Sequence, residues 1–187
     1  HLVDYGWEVL IGISRFWAQR VNWSENLQKY VMLGVTGPNE YENNVNNNFY
    51  TNYFAVWCLK YTLEVLAEIQ ANYPVEAKEK LAKTNFVTKE IEQFNHIIQN
   101  MYFPRDEKRG IYLQQDGFLD KVIAPVDSIP AGQRPINQNW SWDRILRSCY
   151  IKQADVLQGM YFFENDFTKE EIERNYDFYE PLTVHES

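Results

Sequence analysis

Residues 35–52 read VTGPNEYENNVNNNFYTN, and this stretch separates two segments with helical periodicity. It holds two carboxylates, seven asparagine amides and three aromatic rings. Gly37-Pro38 interrupts regular structure, because proline lacks an N–H and glycine tolerates strained dihedral angles. The turn presents Glu40 among amides that suit sugar hydroxyls and rings that would raise a carboxyl pKa by desolvation. The stretch therefore predicts an active-site loop, and a flexible Asn-rich loop is the alternative.

Composition restricts the classes of protein to which the chain can belong. Its 187 residues are enough for one domain with a substantial core. The net charge of −8 argues against nucleic acid or an anionic membrane as a partner. No apolar run approaches the roughly 18 residues of a membrane helix, and the first residues lack a signal-peptide profile. Cys58 and Cys149 have no metal-ligand neighbours, so we expect buried reduced thiols, no metal site and a cytoplasmic location.

The segment before the loop has the spacing of an amphipathic helix over residues 5–20. Its apolar positions fall three or four residues apart and should face the core: Val9, Ile13, Phe16 and Trp17. Glu8 and Arg15 are seven residues apart and share a face, which indicates structural ion pairing rather than a site. Residues 30–33 form a short apolar run and predict a strand that would hold the loop.

Helical patterns also dominate the chain after the loop. They cover residues 50–71, 75–83 and 88–101, and His96 in the last of them is interpreted as an ordinary histidine. Residues 102–139 lose this period and predict a long irregular connection that is either functional or ordered against another part of the structure. Thr168 and Glu171 form a capping box that should open a final helix ending at Tyr179. The predicted fold class is all-α with long loops.

Two motifs resemble a known family. Residues 34–41, with 45–48 and 50–52, and the run Lys152-Gln-Ala-Asp-Val156 are similar to segments of glycoside hydrolase family 65, the inverting disaccharide phosphorylases. The form of the loop, with Asn39 and Glu42, is closest in type to the members that use maltose. The resemblance covers nearly the whole chain. It implies that residues 1–187 are part of a glucoamylase-like (α/α)6 catalytic barrel, with the flanking domains of a longer protein absent.

The resemblance also implies roles for individual residues. Glu40 corresponds to the general acid, and Lys152 and Gln153 correspond to residues that bind the glucosyl unit. His185 and Ser187 lie in a segment that leads to the phosphate side and are tentative phosphate contacts. Glu42 is the alternative acid. The Gln-Gln-Asp-Gly run at residues 114–117 matches a family segment with a chiefly structural role.

The implied reaction is inverting phosphorolysis of an α-glucosyl disaccharide, with maltose expected, to β-D-glucose 1-phosphate and glucose. Inorganic phosphate is the co-substrate, and no cofactor is expected. Two alternatives stay open, an inverting α-glucoside hydrolase on the same barrel and a non-catalytic carbohydrate-binding helical module. The longer protein is expected to be a homodimer, and residues 1–187 alone are expected to be inactive.

Overall fold

A computed structural model describes residues 2–185, which form a mainly helical structure. The chain divides into two compact units. The first comprises the residues up to Met32 together with 53–102, and the second comprises residues 33–52 together with those from Phe103 onward. No helix in the described part of the chain is long and apolar enough to cross a membrane.

The first unit contains four helices and one hairpin. A π-helical turn at Leu2–Gly6 leads into the first helix, and the helices are α1 (Trp7–Arg20), α2 (Phe49–Asn72, which begins in the second unit), α3 (Pro74–Lys83) and α4 (Thr88–Asn100). The strands β1 (Asn22–Ser24) and β2 (Lys29–Val31) pair antiparallel with Asn22 opposite Val31. The strand predicted at residues 30–33 therefore exists but begins and ends earlier.

The position of α1 confirms the predicted helix, but the predicted buried face is wrong. The residues that α1 buries are Trp7, Ile11, Ser14 and Ala18. Val9 and Phe16 are 59% and 58% exposed. The helix has two apolar stripes, and tertiary contacts bury the stripe that contains Trp7 and Ile11. On this buried side Ser14 donates to Thr62 Oγ1 at 2.8 Å.

The charged residues of α1 form ion pairs, although not with each other. Arg15 pairs with Glu90 at 2.6 Å, and Glu8 pairs with Lys83 at 2.8 Å. Both acidic partners have a pKa below the ordinary value, chiefly because each accepts a hydrogen bond from its basic partner. These pairs join α1 to the segments near α3 and α4, as expected of structural residues.

The other helices of this unit confirm the predicted stripes in part. In α2, Val65, Leu66 and Ile69 are buried as expected, whereas Trp57 is exposed. In α4, Phe94 is buried as expected. His96, on the exposed side of α4, has its Nδ1 3.0 Å from the Tyr30 hydroxyl.

The two cysteines are free thiols, with Cys149 buried and Cys58 half-buried, and burial raises the pKa of both.

The second unit combines short helices with the irregular connection. Its elements are the hairpin strands β3 (Arg105–Asp106) and β4 (Ile111–Tyr112) and the helices α5 (Ile136–Asn139), α6 (Trp142–Arg147), α7 (Asp155–Phe162) and α8 (Lys169–Tyr179). Residues 102–139 contain three short 3-10 turns and no long element, as predicted. The core of the unit includes fully buried Phe49, Phe118 and Ile151.

Helix α8 holds the irregular connection in place. Its start is the predicted capping box, in which Thr168 Oγ1 accepts from Glu171 N and Glu171 Oε2 accepts from Thr168 N. At its end the buried Tyr179 hydroxyl accepts from Gln114 N at 2.9 Å and donates to Tyr112 O at 2.8 Å. The helix thereby supplies hydrogen bonds to the backbone of β4 and of the segment that follows it.

Candidate functional site

The Asn-rich loop is closed by its own backbone. Val35 and Val45 exchange two N–H to O bonds of 2.8 Å, and Gly34 N donates to Asn46 Oδ1 at 3.0 Å. Asn44 and Asn47 have φ of 52° and 53°, a left-handed conformation that asparagine tolerates better than most residues. Many of the amides that the sequence assigned to sugar binding therefore build the loop, and the flexible alternative does not describe it.

Asn39 joins this loop to the segment before α7. Its side chain is fully buried, and its Oδ1 accepts from the backbone N–H groups of Lys152 at 2.9 Å and Tyr41 at 3.3 Å. The main-chain nitrogen of Gln153 lies 3.5 Å from the same oxygen. One buried carbonyl oxygen thus fixes the backbone on both sides of the site, because leaving these N–H groups unpaired would cost free energy.

Glu40 contacts Lys152 and Gln153, although more than 100 residues separate it from both in sequence. Lys152 Nζ donates to Glu40 Oε2 at 2.7 Å, and Gln153 Nε2 donates to Glu40 Oε1 at 3.3 Å. Glu40 N donates to Gln153 Oε1 at 3.0 Å. Glu40 is 63% exposed and the Lys152 side chain 20% exposed, so the carboxyl faces solvent from a held position.

Lys152 and Gln153 precede α7 rather than beginning it. The helix starts at Asp155, three residues after Lys152. The Lys152 ammonium group extends from this segment to Glu40.

The pKa of Glu40 is shifted in the direction opposite to the one expected from the sequence. The hydrogen bond from Lys152 and the charge of its ammonium group lower the pKa of Glu40, with a smaller contribution from Gln153. Desolvation opposes this lowering but is the weaker effect, because the Glu40 side chain is 63% exposed. The carboxyl is therefore ionised near neutral pH.

Glu42, the alternative acid, has a different environment. Its side chain is 8% exposed and forms an ion pair with Lys121, which is itself largely buried. A buried charge that is paired in this way costs several kcal/mol to separate. The arrangement suits a structural role in holding the loop against residues 118–121.

The Gln-Gln-Asp-Gly segment packs directly under the loop. Asn47 Nδ2 donates to Asp116 Oδ2 at 2.6 Å, and Asp116 N donates to Asn46 O at 3.0 Å. Burial raises the pKa of Asp116, and the Asn47 bond opposes this shift. These contacts agree with the structural role inferred for this segment.

Sequence reasoning missed a buried carboxyl beneath the site. Asp155 Oδ2 accepts from Asn48 Nδ2 at 2.8 Å, and Asp155 N donates to Gln114 Oε1 at 3.1 Å. Burial raises the pKa of Asp155 to about 7 against hydrogen bonding that favours the charged form, and the Glu42 charge adds to the rise. Its place in the Lys-Gln-Ala-Asp-Val motif was a signal that could have identified it.

The tentative phosphate residues lie at the end of the chain. His185 Nε2 is 3.0 Å from Glu180 Oε1, and both side chains line a cavity of about 450 Å³ together with Arg134 and Thr183. The described contacts of His185 therefore involve Glu180 rather than Glu40. Ser187 lies outside the described residues. Among the residues described, no group of three or more His, Cys, Asp or Glu could hold a metal ion.

Comparison with known proteins finds relatives of this chain among disaccharide phosphorylases. The chain is 53% identical to the maltose phosphorylase of Bacillus subtilis over 187 residues and 37% identical to the α,α-trehalose phosphorylase of Thermoanaerobacter brockii over 194 residues. Each match covers all of this chain but 24% of the relative. A solved structure provisionally assigned as a kojibiose phosphorylase from the human microbiome has a TM-score of 0.86 at 33% identity, covering 100% of this chain and 25% of its own.

The family model that matches is the glycosyl hydrolase family 65 central catalytic domain, and the match extends over residues 1–187. The similar relatives differ in the disaccharide that their names specify, so membership does not fix a substrate. Because the model matches the chain from its first residue to its last, this chain belongs to glycosyl hydrolase family 65 and falls within its central catalytic domain.

Proposed function

We propose that the protein containing this chain catalyses inverting phosphorolysis of an α-glucosyl disaccharide, with maltose as its first candidate, to β-D-glucose 1-phosphate and glucose. The observation that carries the proposal is the exposed Glu40 carboxyl held by Lys152 and Gln153. The family match and the 53% identity to a maltose phosphorylase support the reaction class and the choice of maltose.

In the proposed mechanism Glu40 protonates the oxygen of the leaving glucose. Inverting glycosidases need a second carboxylate to activate water, but phosphate is already a nucleophile and needs only to be positioned. Phosphate attacks the anomeric carbon from the face opposite the departing oxygen, so the product has the β configuration. His185 and Ser187 are proposed to contribute to the phosphate side.

The ion pair between Glu40 and Lys152 has to change before this step. A carboxyl that donates a proton must be protonated, whereas the Lys152 charge favours the ionised form. We expect the hydroxyl groups of the bound glucosyl unit to take over the donors of Lys152 and Gln153. The sugar would also exclude water from Glu40, and both changes raise the pKa of a carboxyl.

The remaining expectations belong to the whole protein. Residues 1–187 are proposed to form part of an (α/α)6 barrel, for which the mainly helical character of the first unit and the TM-score of 0.86 give support. Inorganic phosphate as co-substrate without a cofactor, a homodimeric assembly and a cytoplasmic location stay predictions.

The first experiment uses the full-length protein with maltose, trehalose, kojibiose and nigerose. Cleavage should require inorganic phosphate and should yield β-D-glucose 1-phosphate. Release of glucose without phosphate would instead establish the hydrolase. Sugar binding with no turnover of any of the four would establish the binding module.

The second experiment tests the role of Glu40. Glu40→Gln should reduce phosphorolysis of the preferred disaccharide by about 10²–10⁴-fold, because a sugar alkoxide is a poor leaving group without a proton. Fluoride leaves without one, so the variant should convert α-glucosyl fluoride and phosphate at a rate much closer to that of the unaltered protein. Equal losses on both substrates would assign Glu40 to positioning, and Glu42 would be tested next as the acid.

A further inference from the structure

The buried carboxyl of Asp155 lies where the segment that contains Lys152 meets the loop that contains Glu40. Asp155 is the third residue after Lys152 and begins α7, so its backbone is directly connected to the segment that contacts Glu40. Its side chain contacts the other segment, because Asn48 at the end of the loop donates to Oδ2 at 2.8 Å. Asp155 is 1% exposed and cannot reach substrate through solvent.

The loop also rests on this carboxyl at its other end. A Cβ added to Gly37 would lie 2.3 Å from Asp155 Oδ2 and 2.4 Å from Asn48 Nδ2. Real Cβ atoms do not approach other atoms so closely, so a side chain at residue 37 would require Asp155, Asn48 or the turn itself to shift. Gly37 is three residues before Glu40. The position of the turn that presents Glu40 therefore depends on the position of Asp155.

Asp155 and Asn48 are themselves held by a third segment. Gln114 Oε1 accepts from Asp155 N, and Gln114 O accepts from Asn48 Nδ2 at 3.2 Å. Asn48 Oδ1 in turn accepts from Thr51 N at 2.9 Å at the start of α2. These contacts restrain the Asp155 backbone and the Asn48 amide that donates to the carboxyl.

From this geometry we propose that Asp155 is a positioning residue for the phosphorolysis, setting the location of Glu40 relative to Lys152 through Gly37 and Asn48. The inference rests on the proposed function of Glu40 and goes beyond it. Because Asp155 is 1% exposed, we assign it no contact with sugar or phosphate. Its effect arises because a displacement of about 1 Å of an acid can cost on the order of a hundredfold in rate.

The test uses two variants of the full-length protein that disturb the contact from opposite sides. Asp155→Ala removes the acceptor of Asn48, and Gly37→Ala pushes a methyl group into the carboxyl while keeping every polar group. Gly12→Ala on α1 is the matched control, because a Cβ there meets nothing within 4 Å. Asp155→Asn is the conservative variant, since its amide oxygen can still accept from Asn48 and its shape still fits under Gly37.

We expect both disturbing variants to lower kcat for the disaccharide by about tenfold or more, with a KM change below about threefold. The rate with α-glucosyl fluoride should stay within about threefold of the unaltered protein, because that reaction does not need the acid. Asp155→Asn should recover most of the loss, and Gly12→Ala should behave as the unaltered protein. A crystal structure of Gly37→Ala should show the Glu40 to Lys152 contact lengthened from 2.7 Å.

An unchanged kcat in folded Gly37→Ala, or equal losses on both substrates, would overturn the proposal. If Asp155→Ala fails to fold, the Gly37→Ala data decide. Failure of the proposed function gives a different result, in which the unaltered protein shows no phosphate-dependent cleavage. The crystal structure then still tests the positioning, because an unchanged 2.7 Å contact would contradict it without any activity measurement.

Discussion

At the residue scale, the pKa of Asp155 links the site to the stability of the protein. The pKa rises from an ordinary 3.8 to about 7 in the folded chain, mainly because burial disfavours the charged form. Between about pH 4 and pH 7 the folded state therefore holds a proton that the unfolded state has released. Stability should decrease as pH rises through this window, and the penalty should be complete above pH 7.

Asp155→Asn should abolish this decrease, because the amide cannot ionise. We expect the free energy of unfolding of the variant, relative to the unaltered protein, to increase by on the order of 3 kcal/mol between pH 5 and pH 8. Urea unfolding of the full-length protein at both pH values measures the difference. Asp177→Asn, at an exposed position of α8, is the control. A difference that does not change with pH would show that Asp155 titrates normally.

At the element scale, α8 stabilises the irregular connection through the Tyr179 hydroxyl. Tyr179→Phe would leave Gln114 N and Tyr112 O without their partner in a buried place. Such a loss costs about 1–3 kcal/mol for each buried group left unpaired. Tyr176→Phe, one turn earlier on the same helix and exposed, should change stability by less than about 0.5 kcal/mol. Equal unfolding midpoints for the two variants would contradict this role of α8.

The success of sequence prediction for these elements depends on how local their determinants are. The start of α8 could be predicted because Thr168 and Glu171 are three residues apart and satisfy each other. The buried face of α1 could not, because Val9 and Ile11 are both apolar and the choice between them depends on α2, α3 and α4. Local signals can position a helix along the chain, but its rotation about its own axis is set by distant residues.

The same distinction applies to the candidate site. Motifs indicated Glu40, Lys152 and Gln153 separately, and the resemblance implied a shared role for them. Their direct contact, and the ionised state of Glu40 that follows from it, depends on backbone bonds from Asn39 across more than 100 residues. Asp155 was missed because a carboxyl at the start of a helix usually needs no further explanation.

At the scale of the whole molecule, the exposed apolar residues of the first unit predict how the isolated chain behaves. Val9, Phe16 and Trp57 are at least 40% exposed, and the chain spans 24% of the length of similar curated relatives. Exposed aromatic and aliphatic groups favour association of the isolated chain. We expect residues 1–187 alone to unfold with low cooperativity and to show no phosphorolysis, and we expect the full-length protein to be active. Calorimetry and the phosphate-dependent assay check this, and a sharp transition with full activity would contradict it.

The bond from Lys152 to Asn39 has a consequence for how such sites diversify. Asn39 Oδ1 accepts from the main chain of residue 152 and not from its side chain. The backbone contact between the loop and residue 152 therefore does not depend on which side chain occupies that position. A substitution of Lys152, by natural selection or by a protein engineer, would remove the bond from its side chain to Glu40 but would keep the main-chain bond to Asn39.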